Sequence, residues 1–386
     1  MTYEDSKLAA LGDLGQSVWL DFISRDLLQS GGLGARVAQG VVGMTTNPTI
    51  FAKAIGDGAS YDDEISELAA SGRGAPAIAD ALIVADVQEA CDLLAPVYER
   101  TGHADGYVSI EVPPSFAYDT RATVAEALRL HDAVDRRNLM VKIPATPQGL
   151  PAIRQTVAAG LNINVTLLFA IDVYEQVAAA YVDGLDDRVA RREPIDEVRS
   201  VASFFVSRVD GKADREIDEQ LASQGDATVR ARLEGLRGTL GVANAKLAYR
   251  RFQELCSSER WHRLAERGAH AQRLLWASTS TKDPRYDDLL YVDNLIGPQT
   301  VNTMPEATLQ AFLDHGVVRR TVDQGVDVAH DRVEQAARLG IDLRAITGEL
   351  QPEGVALFRD SFDQLLASVE RRRAELPTGQ EGRMSA

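Results

Sequence analysis

Short, nearly continuous apolar runs recur along the chain. They alternate with longer stretches in which apolar residues return every three or four positions. The short runs cover residues 17–23, 41–46, 107–112, 139–143, 163–169, 201–206, 274–278 and, more weakly, 300–303. Runs of this length and composition read as strands buried on both faces, as in a parallel sheet. The three- and four-residue spacing predicts helices over 78–99, 120–134 and 173–191. It also predicts a long charged helical region over 212–270 and an amphipathic helix over 354–375.

Eight strands alternating with helices predict an α/β fold, a single (β/α)8 TIM barrel with additional helices. An open doubly wound sheet is the alternative. Against it, no G-x-G-x-x-G follows the first strand, and no G-x-x-x-x-G-K-[ST] occurs. No linker rich in Pro, Gly or Ser divides the chain. The expected organisation is one domain over 1–376, with helical insertions near 50–106 and 212–270 and a flexible tail at 377–386.

Composition narrows the function. Of 386 residues, 45% are hydrophobic, enough for a large core and against bulk disorder. The formal net charge of −16 disfavours nucleic acid and anionic membranes as partners. It leaves room for a few buried cations to hold a small anion. Two cysteines, Cys91 and Cys256, cannot build a disulfide framework, so a reducing compartment is expected. There is no signal-peptide pattern and no apolar stretch of membrane-spanning length, and the expected location is the cytoplasm.

The candidate chemistry lies in charges placed where they are costly. Lys142 is flanked by Leu139, Met140, Val141, Ile143 and Pro144. The bland reading is a strand-end lysine snorkelling to solvent. The sharper one is a Schiff-base lysine, a desolvated amine able to attack a carbonyl. Glu111 and Asp21 sit in equally apolar runs, and each alone reads as a strand-end carboxylate bonded to a loop. Three strands each placing one ionisable group near the C-terminal end converge on one barrel mouth, where active sites are built. Thr45, Thr46 and Asn47 end the second strand, and Asn162, Asn164 and Thr166 alternate along the fifth, sharing one face. Ser203 and Arg208 bracket the sixth and Ser278 ends the seventh, a set suited to a phosphate monoester. The six histidines show no metal-ligand spacing, so no metal site is expected.

These motifs resemble the transaldolases, in particular a longer bacterial subgroup of these class I Schiff-base aldolases. They are T-T-N-P at 45–48, S-I-E-V at 109–112, V-K-I-P-A-T at 141–146, N-I-N-V-T-L-L-F at 162–169 and V-N-T-M-P-E-A-T at 301–308. The resemblance spans about residues 16–370. It implies a barrel that moves a dihydroxyacetone unit from sedoheptulose 7-phosphate to glyceraldehyde 3-phosphate, in the non-oxidative pentose phosphate pathway, with no cofactor. It implies Lys142 as the imine-forming residue, and Glu111 as acid/base through a water that Thr166 helps hold. Asp21 would take the proton from the C4 hydroxyl. Thr45, Asn47 and Asn164 would bind sugar hydroxyls, and Ser203, Arg208 and Ser278 the phosphate. One departure stands out: many shorter transaldolases carry a second arginine where this chain has Ser280, and Lys282 is the candidate replacement cation. No segment is long enough for a fused sugar-phosphate isomerase, so one activity is expected. Sugar phosphates are the expected partners, and a homodimer is left open.

Three rival readings differ in chemistry. A Schiff-base lyase would release free dihydroxyacetone, but the resemblance links that reaction to shorter chains and a different acid/base residue. A metal-assisted barrel enzyme would need a third strand-end carboxylate, where this chain offers Asn, Thr and Ser. A sugar-phosphate binder without catalysis would not need a desolvated lysine between carboxylates.

Overall fold

A computed structural model describes residues 6–57 and 59–376. Eight parallel strands close on themselves in sequence order: β1 (Gln16–Leu20), β2 (Gly43–Met44), β3 (Val108–Glu111), β4 (Leu139–Pro144), β5 (Ile163–Leu168), β6 (Ser200–Phe205), β7 (Arg273–Ala277) and β8 (Thr300–Met304). The circle is completed by β1 against β8, with Leu20 registered on Met304. The closed barrel has no free sheet edge, and the open doubly wound alternative is excluded. The strands read as continuous apolar runs because helices cover their outer face; 17 helices surround the barrel among the described residues.

Element ends differ from the sequence expectation for identifiable reasons. β1 stops at Leu20, one residue before Asp21, whose backbone N–H still bonds Met304 O at 2.8 Å. β2 is only two residues long, although Thr45 N–H continues toward Leu20 O at 2.9 Å. The stretch 212–270 is not one helix but part of four: Ser207–Ser223, Ala227–Glu234, Leu240–Cys256 and Glu259–Ala265. Capping side chains set two of these starts, since Asp226 accepts from the Thr228 and Val229 N–H groups and Ser258 from Trp261 N–H. The last helix begins eleven residues earlier than expected, at Leu343, with Asp342 as its cap. It keeps Pro352 inside, and burial of Leu350, Val355 and Phe358 offsets the backbone bond that proline cannot make. The tail expected at 377–386 lies outside the described residues.

Two packing devices bear on the barrel mouth. Helices Pro48–Asp57, Asp62–Ala70 and Ala75–Arg100 lie between β2 and β3, and Arg25, just after β1, is buried against them. Its Nε and Nη2 donate to Asp86 Oδ1 at 3.2 and 3.0 Å, and its Nη1 lies 2.8 Å from Glu64 Oε2. Tyr61 stacks under the guanidinium at 4.4 Å and donates its hydroxyl to Asp86 Oδ2 at 2.6 Å. This network ties the segment that carries Asp21 to the β2–β3 helices. The second device is Gly241, whose N–H donates to Asp210 Oδ1 at 2.8 Å. A Cβ at Gly241 would stand 2.8 Å from both Asp210 Oδ2 and Val206 O, so only glycine lets helix Leu240–Cys256 abut the start of helix Ser207–Ser223. Among the described residues no helix is long and apolar enough to cross a membrane.

Asp86→Ala would leave a buried guanidinium short of its main counter-charge. We expect a loss of about 3 kcal/mol or more in urea unfolding. A loss below about 1 kcal/mol would show that the network does not anchor the loop.

Candidate active site

Register brings the central charges together. In a parallel pair, residues side by side project to the same face. Glu111 is registered on Lys142, and Lys142 on Asn164, so β3, β4 and β5 place three polar side chains in one row inside the barrel. Lys142 is only 5% exposed. Its Nζ donates to Thr46 O at 3.2 Å, lies 3.6 Å from Glu111 Oε2 and sits 5.9 Å from the centre of the Phe358 ring.

The polar residues around it form a connected lattice. Asn164 Nδ2 donates to Ser109 Oγ at 3.0 Å, and its Oδ1 accepts from Ser203 Oγ at 2.7 Å, so Asn164 bridges β3 and β6. Thr45 Oγ1 donates to Asp21 Oδ1 at 2.8 Å and lies 2.6 Å from Thr303 Oγ1. Asn47 Oδ1 accepts from Ile50 N–H at 3.1 Å, at the start of helix Pro48–Asp57. Thr166 is fully buried, and its Oγ1 and Glu111 Oε2 have no hydrogen-bond partner. The register of β5 on β6 shifts between Val165 and Leu168, and Leu167 there has φ +58°. A leucine in the left-handed region is strained, and such irregularities re-aim side chains at functional sites. Asn162, in contrast, sits at the other end of β5. It braces backbone there, donating to Arg137 O and Leu139 O and accepting from Arg199 N–H.

A cavity of about 530 Å³ opens at the C-terminal ends of the strands, over Lys142. Asp21, Thr45, Asn47, Lys142, Ser203, Arg208, Ser278 and Lys282, all singled out in the sequence, line it. Glu111, Asn164 and Thr166 are not among its lining residues; the register sets Glu111 and Asn164 on either side of Lys142. Arg208 lies over the Phe205 ring at 5.1 Å, and Lys282 Nζ donates to Ser280 Oγ at 2.7 Å. Ser278 has φ +55°, and its Oγ lies 2.9 Å from Ser207 Oγ. The cavity also takes in residues that sequence reading passed over: Thr49 and Lys53 on helix Pro48–Asp57, and Phe358 from the last helix. The four-residue spacing of Thr49 and Lys53 on one helical face is a signal that could have found them. Phe358 carries no local signal, because only the path of the last helix brings it over Lys142.

The electrostatics suit proton transfer. Burial pushes the Glu111 carboxyl up to about 7, with Lys142 pulling the other way. Burial also raises Asp21, opposed by Lys142, by the Thr45 hydroxyl, and by Lys282 and Arg208. The same burial holds Arg208 below its ordinary value, against the charges of Asp21 and Glu111. Two carboxyls biased toward the protonated form beside a buried amine can carry nucleophilic and acid/base catalysis on a carbonyl. The cations Arg208 and Lys282 on the same cavity can hold a phosphate. Among the described residues one group has metal-ligand proximity, His330, Asp331 and Glu334, and none of the three lines this cavity.

Known proteins give a consistent comparison. The family model described as Transaldolase/Fructose-6-phosphate aldolase matches residues 18–369. "Transaldolase" of Trichodesmium erythraeum is 44% identical over 372 residues, covering 96% of this chain and 98% of that protein. "Transaldolase" of a Parafrankia species is 48% identical over 364 residues, covering 94% and 96%. "Transaldolase" of Saccharopolyspora erythraea is 47% identical over 370 residues, covering 95% and 97%.

Glu111 has a testable pH signature. Its carboxyl is raised in the folded protein from an ordinary 4.5 to about 7, so ionising it opposes folding. That penalty is absent below 4.5, grows as pH rises toward 7 and is complete above 7. Glu111→Gln removes it. The variant is therefore expected to gain stability relative to the parent as pH rises from 4.5 to 8, by at most ~3 kcal/mol. A stability difference that stays flat across this range in urea titrations would contradict the account.

Proposed function

The chain belongs to the transaldolase family, and from that premise we propose that it transfers a dihydroxyacetone unit from sedoheptulose 7-phosphate to glyceraldehyde 3-phosphate, giving erythrose 4-phosphate and fructose 6-phosphate. The observation that carries this reading is Lys142: a nearly buried amine, 3.6 Å from a buried carboxyl, facing a cavity that also holds Arg208 and Lys282. The reaction belongs to the non-oxidative pentose phosphate pathway. We place it in the cytoplasm, which suits the two free cysteines. The barrel and its added helices, over 1–376, act as one catalytic unit.

The chemistry proceeds from these positions. Lys142 Nζ attacks the C2 carbonyl of the donor, water leaves, and a protonated imine forms. That cation is the electron sink: the C3–C4 bond breaks, its electrons pass into an enamine, and the aldose departs. Asp21, next to Thr45, takes the proton of the C4 hydroxyl as the bond breaks. Addition of the enamine to the acceptor aldehyde reverses these steps, and hydrolysis of the new imine frees the product. Glu111 supplies and removes protons during imine formation and hydrolysis. A water held between it and Thr166 relays them, which would satisfy both unpartnered oxygens. A carboxyl near 7 is matched to that duty at neutral pH. Thr45 and Asn47 fix the sugar hydroxyls from the cavity wall, and Asn164, registered beside Lys142, meets the sugar only where it is joined to that lysine. Ser203, Arg208 and Ser278 receive the phosphate. Lys282 supports them: it lines the same cavity, and its Nζ donates to the hydroxyl of Ser280, the residue that aligns in sequence with the second arginine of many shorter transaldolases.

The test is product analysis. Fructose 6-phosphate with erythrose 4-phosphate is expected to yield sedoheptulose 7-phosphate and glyceraldehyde 3-phosphate. Accumulation of free dihydroxyacetone instead would make the protein a lyase. Lys282→Ala is expected to raise KM for the phosphorylated donor roughly tenfold, about 1.4 kcal/mol, with kcat within about twofold. An unchanged KM would remove Lys282 from the phosphate site.

A further inference from the structure

The barrel has a second cation-lined opening, at the end away from Lys142. There, where the strands begin, a cavity of about 160 Å³ is lined by Arg199, Arg273, His270, Ser200 and Gln299, among others. The charges of the two arginines are met very differently. Arg273 Nη2 donates to Asp105 Oδ1 at 2.9 Å and Nη1 to Ser17 Oγ at 2.8 Å. Asp105 in turn accepts from Ser17 Oγ at 2.7 Å and Trp19 Nε1 at 3.0 Å. That pair is closed.

Arg199 is not matched in this way. It is only 9% exposed. Its Nη1 donates to the backbone carbonyl of Asp196, while its Nε is buried with no partner. No carboxylate stands at ion-pair distance from it among the described residues. A guanidinium cannot shed its proton to escape burial, so an unmatched one is strongly disfavoured unless an anion joins it. It is also rigidly placed. Arg199 N–H donates to Asn162 Oδ1 at 2.9 Å, and Asn162 Nδ2 is bonded to Arg137 O and Leu139 O. On the next residue, Ser200 Oγ donates to Ile163 O at 2.7 Å and accepts from Gln272 Nε2 at 2.8 Å. This bracing explains the polar Asn162 at the start of β5. His270 stands at the exposed rim, its imidazole held below its ordinary value by partial desolvation and by Arg199, against Asp196.

We propose that this cavity is a second anion site, separate from the catalytic mouth, which takes the phosphoryl group of orthophosphate or of a small phosphate monoester. Arg199 is its main contact, and Arg273, Ser200 and His270 form its wall. A planar guanidinium offers paired N–H donors to a phosphate, and a braced backbone loses little freedom on binding. In a chain of net charge −16, such a local cation is what lets an anion bind at all. The space admits a phosphoryl group with little attached to it. The proposal does not depend on the reading of the catalytic cavity.

His270 supplies a local reporter. Its ring resonances in the full chain, assigned with a His270→Gln variant, are followed by NMR as inorganic phosphate is added, and separately as glycerol 3-phosphate is added. A saturable shift of His270 is expected, with its titration midpoint moving up as the anion offsets Arg199. Arg199→Gln is expected to weaken the response at least tenfold while leaving sugar-phosphate turnover unchanged. Arg208→Gln, in the other mouth, should retain it. A response to phosphate alone identifies the free anion as the ligand, and a stronger response to glycerol 3-phosphate identifies an ester. A His270 signal unmoved by either probe in the parent protein overturns the proposal, even if the Arg199 variant fails to fold. An equal response in Arg199→Gln overturns it as well.

Discussion

Lys142 lies inside the barrel, only 5% exposed, and an amine buried there has to be answered by its neighbours. Thr46 O, the Glu111 carboxyl and the face of Phe358 surround it, from the loop after β2, from β3 and from the last helix. Much of the C-terminal face can be understood from that requirement. Parallel register puts Glu111 on one side of Lys142 and Asn164 on the other. Asn164 then needs Ser109 and Ser203 to satisfy its amide, which extends the polar row to β6. Burying Glu111 beside an amine holds its carboxyl near 7, where it can both give and take a proton.

Charge is distributed unevenly between the surface and the mouths of the barrel. The chain is strongly acidic as a whole, and most of its surface arginines are matched to carboxylates, as Arg129, Arg154 and Arg260 are. Such exposed pairs contribute little to stability. Arg208, Lys282 and Lys53 at the catalytic cavity, and Arg199 at the opposite end, have no carboxylate at ion-pair distance among the described residues. Cations left unmatched in an acidic protein concentrate positive potential where an anionic ligand can reach it.

The barrel was legible because each strand is buried on both faces and so appears as an uninterrupted apolar run. The central charges were legible for the same reason: Lys142, Glu111 and Asp21 each break such a run. What the pattern could not reveal depends on long-range placement. Phe358 falls within the helix expected over 354–375, but its place over Lys142 comes from where that helix packs, which no local pattern records. Lys53 lies on a helix between β2 and β3 whose direction is set by packing. Asn162 looked like a partner of Asn164 and Thr166 because side chains two apart share a face, yet it sits at the other end of the barrel, bracing Arg199. Period two reports the face of a strand; depth along the barrel axis comes only from the register with neighbouring strands.

The central claim is that Lys142 forms the covalent bond to substrate, and chemical trapping tests it most directly. The protein is mixed with fructose 6-phosphate and treated with borohydride, which reduces an imine to a stable amine, and the intact protein and its peptides are weighed. The account predicts a three-carbon, dihydroxyacetone-derived mass increase confined to the peptide containing Lys142. No adduct on folded, substrate-bound protein, or an adduct on another lysine, would contradict it.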